Sequence, residues 1–388
     1  MQIDENWLKQ TSTQRVFKML EDAGHQAYAV GGCVRNALLG VPVTDIDIAT
    51  SATPEQTLAL AQKTGLKAIP TGIDHGTITV ISDTIPYEIT TFRRDIETDG
   101  RHAVVAFTDS MTEDARRRDF TMNALYADAS GRVHDPLSGI GDLQNHYVRF
   151  IEDANARIRE DYLRSLRFFR FHAQYGNPSA GLDPDAIAAI AANLDGLETL
   201  AEERIGAEMR KLLAAPDPAP ALAGMMATGA LGRILSGADP RWIAPLVHLE
   251  RAAKQVPDSV RRLVVLGGEN VSENLRLTRI EERQRRLLSG FVSNTESLSE
   301  IAWRHGADTA WSVVLIRHAL MESALPPDTE KTILEAVAAT CPITARDLLA
   351  DRQGPALGAA LRRAETAWVE SKFLLEKVHL IEIALKEG

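Results

Sequence analysis

The sequence predicts an α+β protein: a mixed α/β head followed by a long all-α region. Three observations carry this. Strand signals are confined to the first 140 or so residues, helical periodicity fills the chain after Phe150, and 388 residues exceed a single ordinary domain. A hydrophobic fraction of 45% allows sizeable cores, and the low aromatic content of 5% beside abundant Ala and Leu leans helical.

Taken in order, residues 6–23 carry apolar positions at helical spacing, closed by Gly24. QAYAVGG reads as a buried strand entering a turn, ALLG as a short helix and DIDIAT as a strand. SATPEQTLALAQKTG is a helix with Thr53 as N-cap, Pro54 at its first position and Gly65 at its end. GTITVIS and YEITTFR are β-branched strands, and HAVVAFTD is a further one. Beyond Phe150, helices are expected over 156–175, 184–194, 198–214, 218–235 and onward to 359–386, punctuated by prolines such as Pro216, Pro218, Pro220 and Pro240. No fixed-period repeat or low-complexity tract is visible.

No apolar run approaches the roughly 20 residues of a membrane span, and MQIDENWLKQTSTQ lacks a signal pattern. The expectation is a cytoplasmic protein that does not engage a membrane. Cys33 and Cys341 lack metal spacing and are expected as reduced thiols. A net charge of −10 argues weakly against a nucleic-acid partner, but local charge overrides the sum. Arg251 to Arg286 holds nine Lys/Arg against five Asp/Glu, which fits a solvated helix face as well as it fits RNA. Arg116-Arg117-Arg118 is denser.

The chemistry gathers in GGCVRNALLGVPVTDIDIAT (31–50). Asp45 and Asp47 lie two apart on a strand, so both carboxylates share a face. Like charges that close repel, and a divalent cation relieves them. Mg²⁺ takes one or two carboxylates plus substrate phosphates. By itself D-x-D also fits two surface aspartates on an edge strand. Gly31-Gly32, between a strand and a helix, exposes N–H groups suited to phosphate, although a tight connection looks the same. Arg35 lies one turn in and could reach the same anion. Glu88 is a candidate third carboxylate or an exposed strand residue. A metal-bound triphosphate points to nucleotidyl transfer.

These residues, with RRDFTMNAL (117–125), DPLSGIGDL (135–143), EDYLRSLRFFRF (160–171) and EERIGAEMRKLL (202–213), resemble the bacterial class II tRNA nucleotidyltransferase and poly(A) polymerase family. CPITARDLLADRQGPALGAAL resembles the family's tail segment. The resemblance implies a polymerase β-like nucleotidyltransferase head (1–145), a helical neck that recognises the base (146–214), a tRNA-docking body (215–325) and a tail (326–388). It implies Asp45 and Asp47 as Mg²⁺ ligands, with Glu88 a catalytic candidate beside them. Gly31, Gly32, Arg35 and Arg118 would meet the nucleotide, and Asp161, Arg164, Arg167 and Arg170 would line its site. Where the family usually has Asp after the arginine of GG-x-V-R, this chain has Asn36: if that Asp orients Arg35 or helps the metal site, Asn weakens the site, and if it only caps the helix, the favoured reading, Asn serves as well.

Asp161 and Arg164, three apart on one expected helix, would face the same way. Asp only accepts and Arg only donates. Such a pair matches the amino-plus-ring-nitrogen edge of C and A and rejects U and G without a template. An i,i+3 surface salt bridge is the competing reading. Arg167 and Arg170 extend the series as a basic ridge, and Phe168, Phe169 and Phe171 are expected as core.

TGIDHGTITV (71–80) stands where bacterial poly(A) polymerases usually carry a basic segment, and resembles the CCA-adding form. RDIETDGRHA (94–103) is expected as a full-length mobile loop that helps the change from C to A. The expected activity is CCA addition to the tRNA acceptor 3′ end from CTP and ATP. The alternatives are a poly(A) polymerase, a CC- or A-only enzyme, or a non-catalytic RNA-binding relative. The state is monomer or homodimer.

Overall fold

The computed structural model describes residues 1–99 and 102–386, with the side chains of Asp74 and of 95–105 left aside. Contacts group the chain into two units, Met1–Ser236 and Gly237–Gly388.

The first unit opens with α1 (Asn6–Lys9) and α2 (Thr11–Glu21), then β1 (Ala27–Val30), α3 (Gly32–Leu39), β2 (Ile46–Thr50), α4 (Pro54–Lys63), β3 (Lys67–Gly72), β4 (Thr77–Ser82) and β5 (Ile85–Thr91). The expected 6–23 helix is interrupted at Gln10, whose backbone is extended. The Thr13 hydroxyl there donates to the Trp7 carbonyl at 2.6 Å, a local bond that competes with helix continuation. α4 has its expected N-cap Thr53, which forms a capping box with Gln56, and Pro54 in its first turn.

β6 (Arg93–Asp99) and β7 (His102–Phe107) form a separate antiparallel pair. The expected mobile loop over 94–103 is thus corrected to two paired strands, and Gly100 and Arg101 between them lie outside the described residues. α5 (Met111–Arg116), β8 (Tyr126–Ala127), β9 (Val133–His134) and α6 (Gly139–Gln144) complete the head.

The main sheet runs β3-β4-β5-β2-β1-β8-β9. β2 pairs parallel with β5 and antiparallel with β1. Its alternation puts Ile46, Ile48, Tyr87 and Ile89 in the core, each at most 7% exposed. Asp45, Asp47 and Glu88 therefore face the other way. β3 was not expected from sequence. Pro70 within KAIPTG weakens its strand signal and is tolerated because β3 is an edge.

Helices α7 (Ala154–Glu160), α8 (Leu163–Tyr175), α9 (Pro184–Ala192), α10 (Glu202–Leu213), α11 (Ala219–Thr228) and α12 (Ala230–Ile234) follow. α8 packs on α10 and α11, with Phe168, Phe169 and Phe171 buried as expected. The expected 156–175 helix is two helices, broken at Asp161–Tyr162. The Asp161 backbone is extended, and its carboxylate accepts from the Leu163 N–H at 3.1 Å. Asp thus competes with helix continuation and starts the next helix instead. Tyr162 packs so closely on Gly196 that a Cβ there would lie 2.0 Å from its ring. The expected 218–235 helix likewise breaks at Gly229, φ +85°.

The second unit is helical: α13 (Ile243–Ala252), α14 (Ser259–Leu266), α15 (Val271–Asn274), α16 (Arg279–Val292), α17 (Leu298–His305), α18 (Ala307–Leu320), α19 (Thr329–Ala338), α20 (Gly354–Glu370) and α21 (Lys377–Leu385). The last two replace the single helix expected over 359–386, and Trp368, Leu380 and Ala384 form the core between them. Among the described residues no helix is long and apolar enough to cross a membrane. Both cysteines are free thiols.

Candidate active site

The site grows from β2 and β5. Their parallel register sets Asp47 opposite Glu88, with Asp45 one residue before β2. Asp45 and Glu88 are exposed, and Asp47 is half-buried. Burial first, then the negative charges of Glu88 and Asp45, push the Asp47 carboxyl up to about 6, while Arg118 acts the other way. Among the described residues these carboxylates form no ion pair, and no group of three or more His, Cys, Asp or Glu gathers as a metal cluster. The donors fit a hard divalent cation held by Asp45 and Asp47, because such an ion needs only one or two protein carboxylates when phosphates complete its shell.

The glycine turn adjoins this face. Gly31 sits at φ +72°, a backbone conformation that favours glycine, and a Cβ there would lie 3.4 Å from Arg118 Nη1, which places that arginine against the turn. Gly32 meets no such limit. α3 begins there with no side-chain cap, leaving the N–H groups of its first turn for a ligand.

Arg118 reaches this face from behind. Its Nη2 donates to Asp114 at 3.1 Å and its Nε to the Tyr126 hydroxyl at 3.2 Å, while Tyr126 donates to Asp114 at 2.8 Å. Burial opposes the guanidinium charge, but Tyr126 and Asp114 outweigh it and raise its pKa. Asp114 also takes Arg117 Nε at 2.8 Å. Despite burial, the two arginines hold its carboxyl down at about 2.

Arg35 departs from the phosphate role the resemblance implies. It is 7% exposed and turned inward, donating to Asn123 Oδ1 at 2.6 Å, the Tyr175 hydroxyl at 2.9 Å and Asn36 Oδ1 at 2.9 Å. Its guanidinium lies 4.2 Å from the Tyr175 ring centroid. It ties α3 to α8 and braces the glycine turn. Asn36 therefore orients Arg35, correcting the expectation that it serves as a helix cap. Its amide also donates to the Pro42 carbonyl at 3.0 Å.

The expected placement of Asp161 and Arg164 on one helix is corrected too. Asp161 stands at the helix break, not on a shared helix face. Its Oδ2 accepts from Arg204 Nη2 at 2.7 Å. Arg164 turns to the carbonyls of Arg157 and Arg117, at 3.0 and 2.8 Å, and to Glu160. Neither the shared face nor the i,i+3 salt bridge is formed. The basic ridge is dispersed as well. Arg167 donates to Asp119 at 2.8 Å, and buried Arg170 is committed to Glu208 on α10 and to Gln174.

Sequence reasoning missed Asp114, Asp119, Asn123, Tyr126, Tyr175, Arg204 and Glu208 as partners. Asp119 and Asn123 lie inside RRDFTMNAL, and Glu208 and Arg204 inside EERIGAEMRKLL, so motif membership was their one available signal. DPLSGIGDL is scaffold. Asp135 accepts from the Gly139 and Ile140 N–H groups at 2.7 and 2.9 Å, and a Cβ on Gly139 would lie 2.3 Å from the Thr121 carbonyl oxygen.

The family described as "Poly A polymerase head domain" matches residues 27–149, and "Probable RNA and SrmB- binding site of polymerase A" matches 181–241. The human mitochondrial CCA tRNA nucleotidyltransferase 1 is 44% identical over 190 residues, 49% of this chain and 44% of its own length. The CCA-adding enzyme of Geobacillus thermodenitrificans is 43% identical over 55% of this chain and 52% of its own. The chain thus spans about half the length of these two relatives. The CCA-adding enzyme of Lacticaseibacillus paracasei is 33% identical over 95% of this chain and 94% of its own. Among solved structures, the Bacillus stearothermophilus CCA-adding enzyme in complex with CTP matches with a TM-score of 0.72 and 27% identity, covering 96% of both chains.

Proposed function

The chain belongs to the CCA-adding enzyme family of nucleotidyltransferases, and from that premise we propose that it adds C, C and A to the 3′ end of tRNA from CTP and ATP, without a nucleic-acid template. The observation that carries the reading is the carboxylate face of Asp45, Asp47 and Glu88 beside the Gly31 turn and Arg118. That combination serves one reaction type, attack of a hydroxyl on a phosphate, better than a passive RNA-binding surface.

Each part has a task. The Gly31-Gly32 turn and first-turn N–H groups of α3 receive phosphate oxygens, and Arg118, fixed by Asp114 and Tyr126, adds a permanent positive charge. Arg35 holds the turn in position through Asn36, Asn123 and Tyr175. A divalent ion on Asp45 and Asp47, Mg²⁺ in this reading, would neutralise charge at the α-phosphate and acidify the attacking 3′-hydroxyl. Glu88 adds negative charge beside Asp47, which strengthens that site's demand for a cation. Asp161 and Arg164 present an acceptor and a donor at the base edge, exchanging Arg204 and the Arg157 and Arg117 carbonyls for the base. Pairing with C or A matches donor to acceptor along the base edge, whereas U or G sets acceptor against acceptor and donor against donor.

The finer division into head (1–145), neck (146–214), body (215–325) and tail (326–388), with RNA docking on the body, and the cytoplasmic location belong to the same proposal.

The test is incorporation by purified protein with Mg²⁺ into a tRNA lacking its 3′-CCA. Each NTP is offered singly and then CTP with ATP, with products resolved at one nucleotide. Two C's and one A are expected. A long A ladder would replace the reading with poly(A) synthesis, two C's alone with a CC-adding enzyme, and no extension with a non-catalytic RNA-binding protein.

A further inference from the structure

A small cavity of about 200 Å³ opens beside the candidate active site, lined by Arg94, Glu113, Arg116, Arg117, Arg157 and Glu160. Its charge is unbalanced in a specific way. Glu160 is shared by Arg157 and Arg164, and Asp114 behind the wall is shared by Arg117 and Arg118. Glu113 accepts from the Thr108 hydroxyl at 2.6 Å. Arg116 has only the exposed Glu152, at 3.2 Å, and Arg94 forms no ion pair among the described residues. The Nε–H of Arg157 is buried with no hydrogen-bond partner. A buried orphan donor is costly, and this one belongs to one of the four guanidinium groups that line the cavity, a set suited to an acceptor of negative charge.

We propose that this cavity is a second phosphate site, separate from the glycine turn, which binds one phosphate group of a substrate or product. Its size suits one or two phosphate groups but not a whole nucleoside triphosphate. Guanidinium is the side chain best matched to phosphate oxygens. Two neighbours link the cavity to the chemistry: Arg117 shares Asp114 with Arg118, and Glu160 directly precedes Asp161. The phosphate comes either from the RNA backbone near its 3′ end or from released pyrophosphate. The assignment to RNA or pyrophosphate rests on the proposed function, whereas the phosphate chemistry of the cavity does not.

The experiment uses the full chain with Arg94→Gln and Arg116→Gln combined, both at exposed positions. A charge-matched control, Arg15→Gln with Arg132→Gln, changes exposed arginines elsewhere in the first unit. Two affinities are measured for each protein: tRNA lacking its CCA, as a function of salt, and inorganic pyrophosphate by calorimetry. If RNA supplies the phosphate, the log-log salt slope becomes shallower by about 1 and pyrophosphate binding is unchanged. If pyrophosphate does, its affinity falls and the RNA slope stays. If neither departs from the control, the proposal is overturned. Normal tRNA extension by the unaltered protein in that last case would sink the cavity alone. Lack of extension together with a changed affinity would sink the proposed function and keep the phosphate site.

Discussion

The carboxylate face of β2 and β5 and the core of the second unit use the same residue types in opposite balance. On the sheet, Glu88 and Asp45 push the Asp47 carboxyl up, and the cation that acts against them, Arg118, is already bonded to Asp114. In the helical unit one carboxylate serves two cations. Glu250, 2% exposed, accepts from Arg261 at 2.8 Å and from Arg262 at 2.7 and 3.0 Å, and Arg261 also donates to the Ser312 hydroxyl and the Val256 carbonyl. The interior cluster is closed, with its donors spent on protein acceptors. The sheet face is open, and its imbalance is left for a ligand. Charge that a fold compensates internally holds the fold together, whereas charge left uncompensated at a surface marks where something of opposite sign belongs.

The largest effect should come from the open face. Asp47→Ala is expected to lower incorporation by at least about 10³-fold, the scale on which loss of an electrostatic anchor is felt in group transfer. Binding of tRNA should persist, and thermal stability should hold or rise, since a carboxyl that burial and its neighbours push up to about 6 is removed. Single-turnover kinetics beside a melting curve checks both halves. Substantial turnover, or a large stability loss, would place Asp47 with the structural charges instead.

Glu250→Gln should do the reverse. It removes the buried negative charge that Arg261 and Arg262 share, and breaking such a pair costs about 3 kcal/mol. The denaturant midpoint should fall while nucleotide affinity at the first unit holds. An unchanged midpoint would mean that the cluster is solvated enough to be dispensable.

How far each region could be read from sequence follows from the range of its contacts. Asp45 and Asp47 were legible because strand alternation acts over two residues, and Gly31 because a strand-to-helix turn needs positive φ. α4 was legible from Thr53, Pro54 and Gly65, all local signals. The Asp161 break was not, because its local signal, an Asp that accepts from the N–H two residues on, is carried equally by any Asp within a helical run. Arg170 looked like part of a ridge because nothing local announces Glu208 on α10. β3 was hidden by Pro70, and β8 and β9, two residues each, are too short for any period to register. Arg261 and Arg262 of the buried Glu250 cluster read as part of a basic stretch that fitted a solvated helix face as well as RNA, because sequence gives charge but not the face it is turned to.

Asp161→Ala sharpens the comparison at an intermediate site, where the charge is compensated by Arg204 in this structure and by a base in the proposed reaction. Selectivity for C and A over U and G should fall by roughly 10- to 100-fold, the equivalent of one to two unsatisfied polar groups. Competition between NTPs at fixed Mg²⁺ measures it. Unchanged selectivity would leave Asp161 as a helix-start residue held by Arg204.

The smallest effect is expected at Asn36, where compensation is partial. Arg35 is a buried cation whose bonded partners, Asn36, Asn123 and Tyr175, are all neutral side chains, and burial lowers its pKa. Asn36→Asp would give the Arg35 cation, now bonded at Nε and Nη2 to a neutral oxygen, an anionic acceptor at both bonds. It would also exchange the amide donor that meets the Pro42 carbonyl for an oxygen that repels it. The first change involves two bonds to a buried cation and the second one bond at an exposed edge. The net expectation is a gain of about 1 kcal/mol in stability, with a modest fall in KM for CTP as the glycine turn is held more firmly. Thermal unfolding and KM measured together decide it. Destabilisation would show that the bond to Pro42 governs this position and that the neutral residue is what this turn requires.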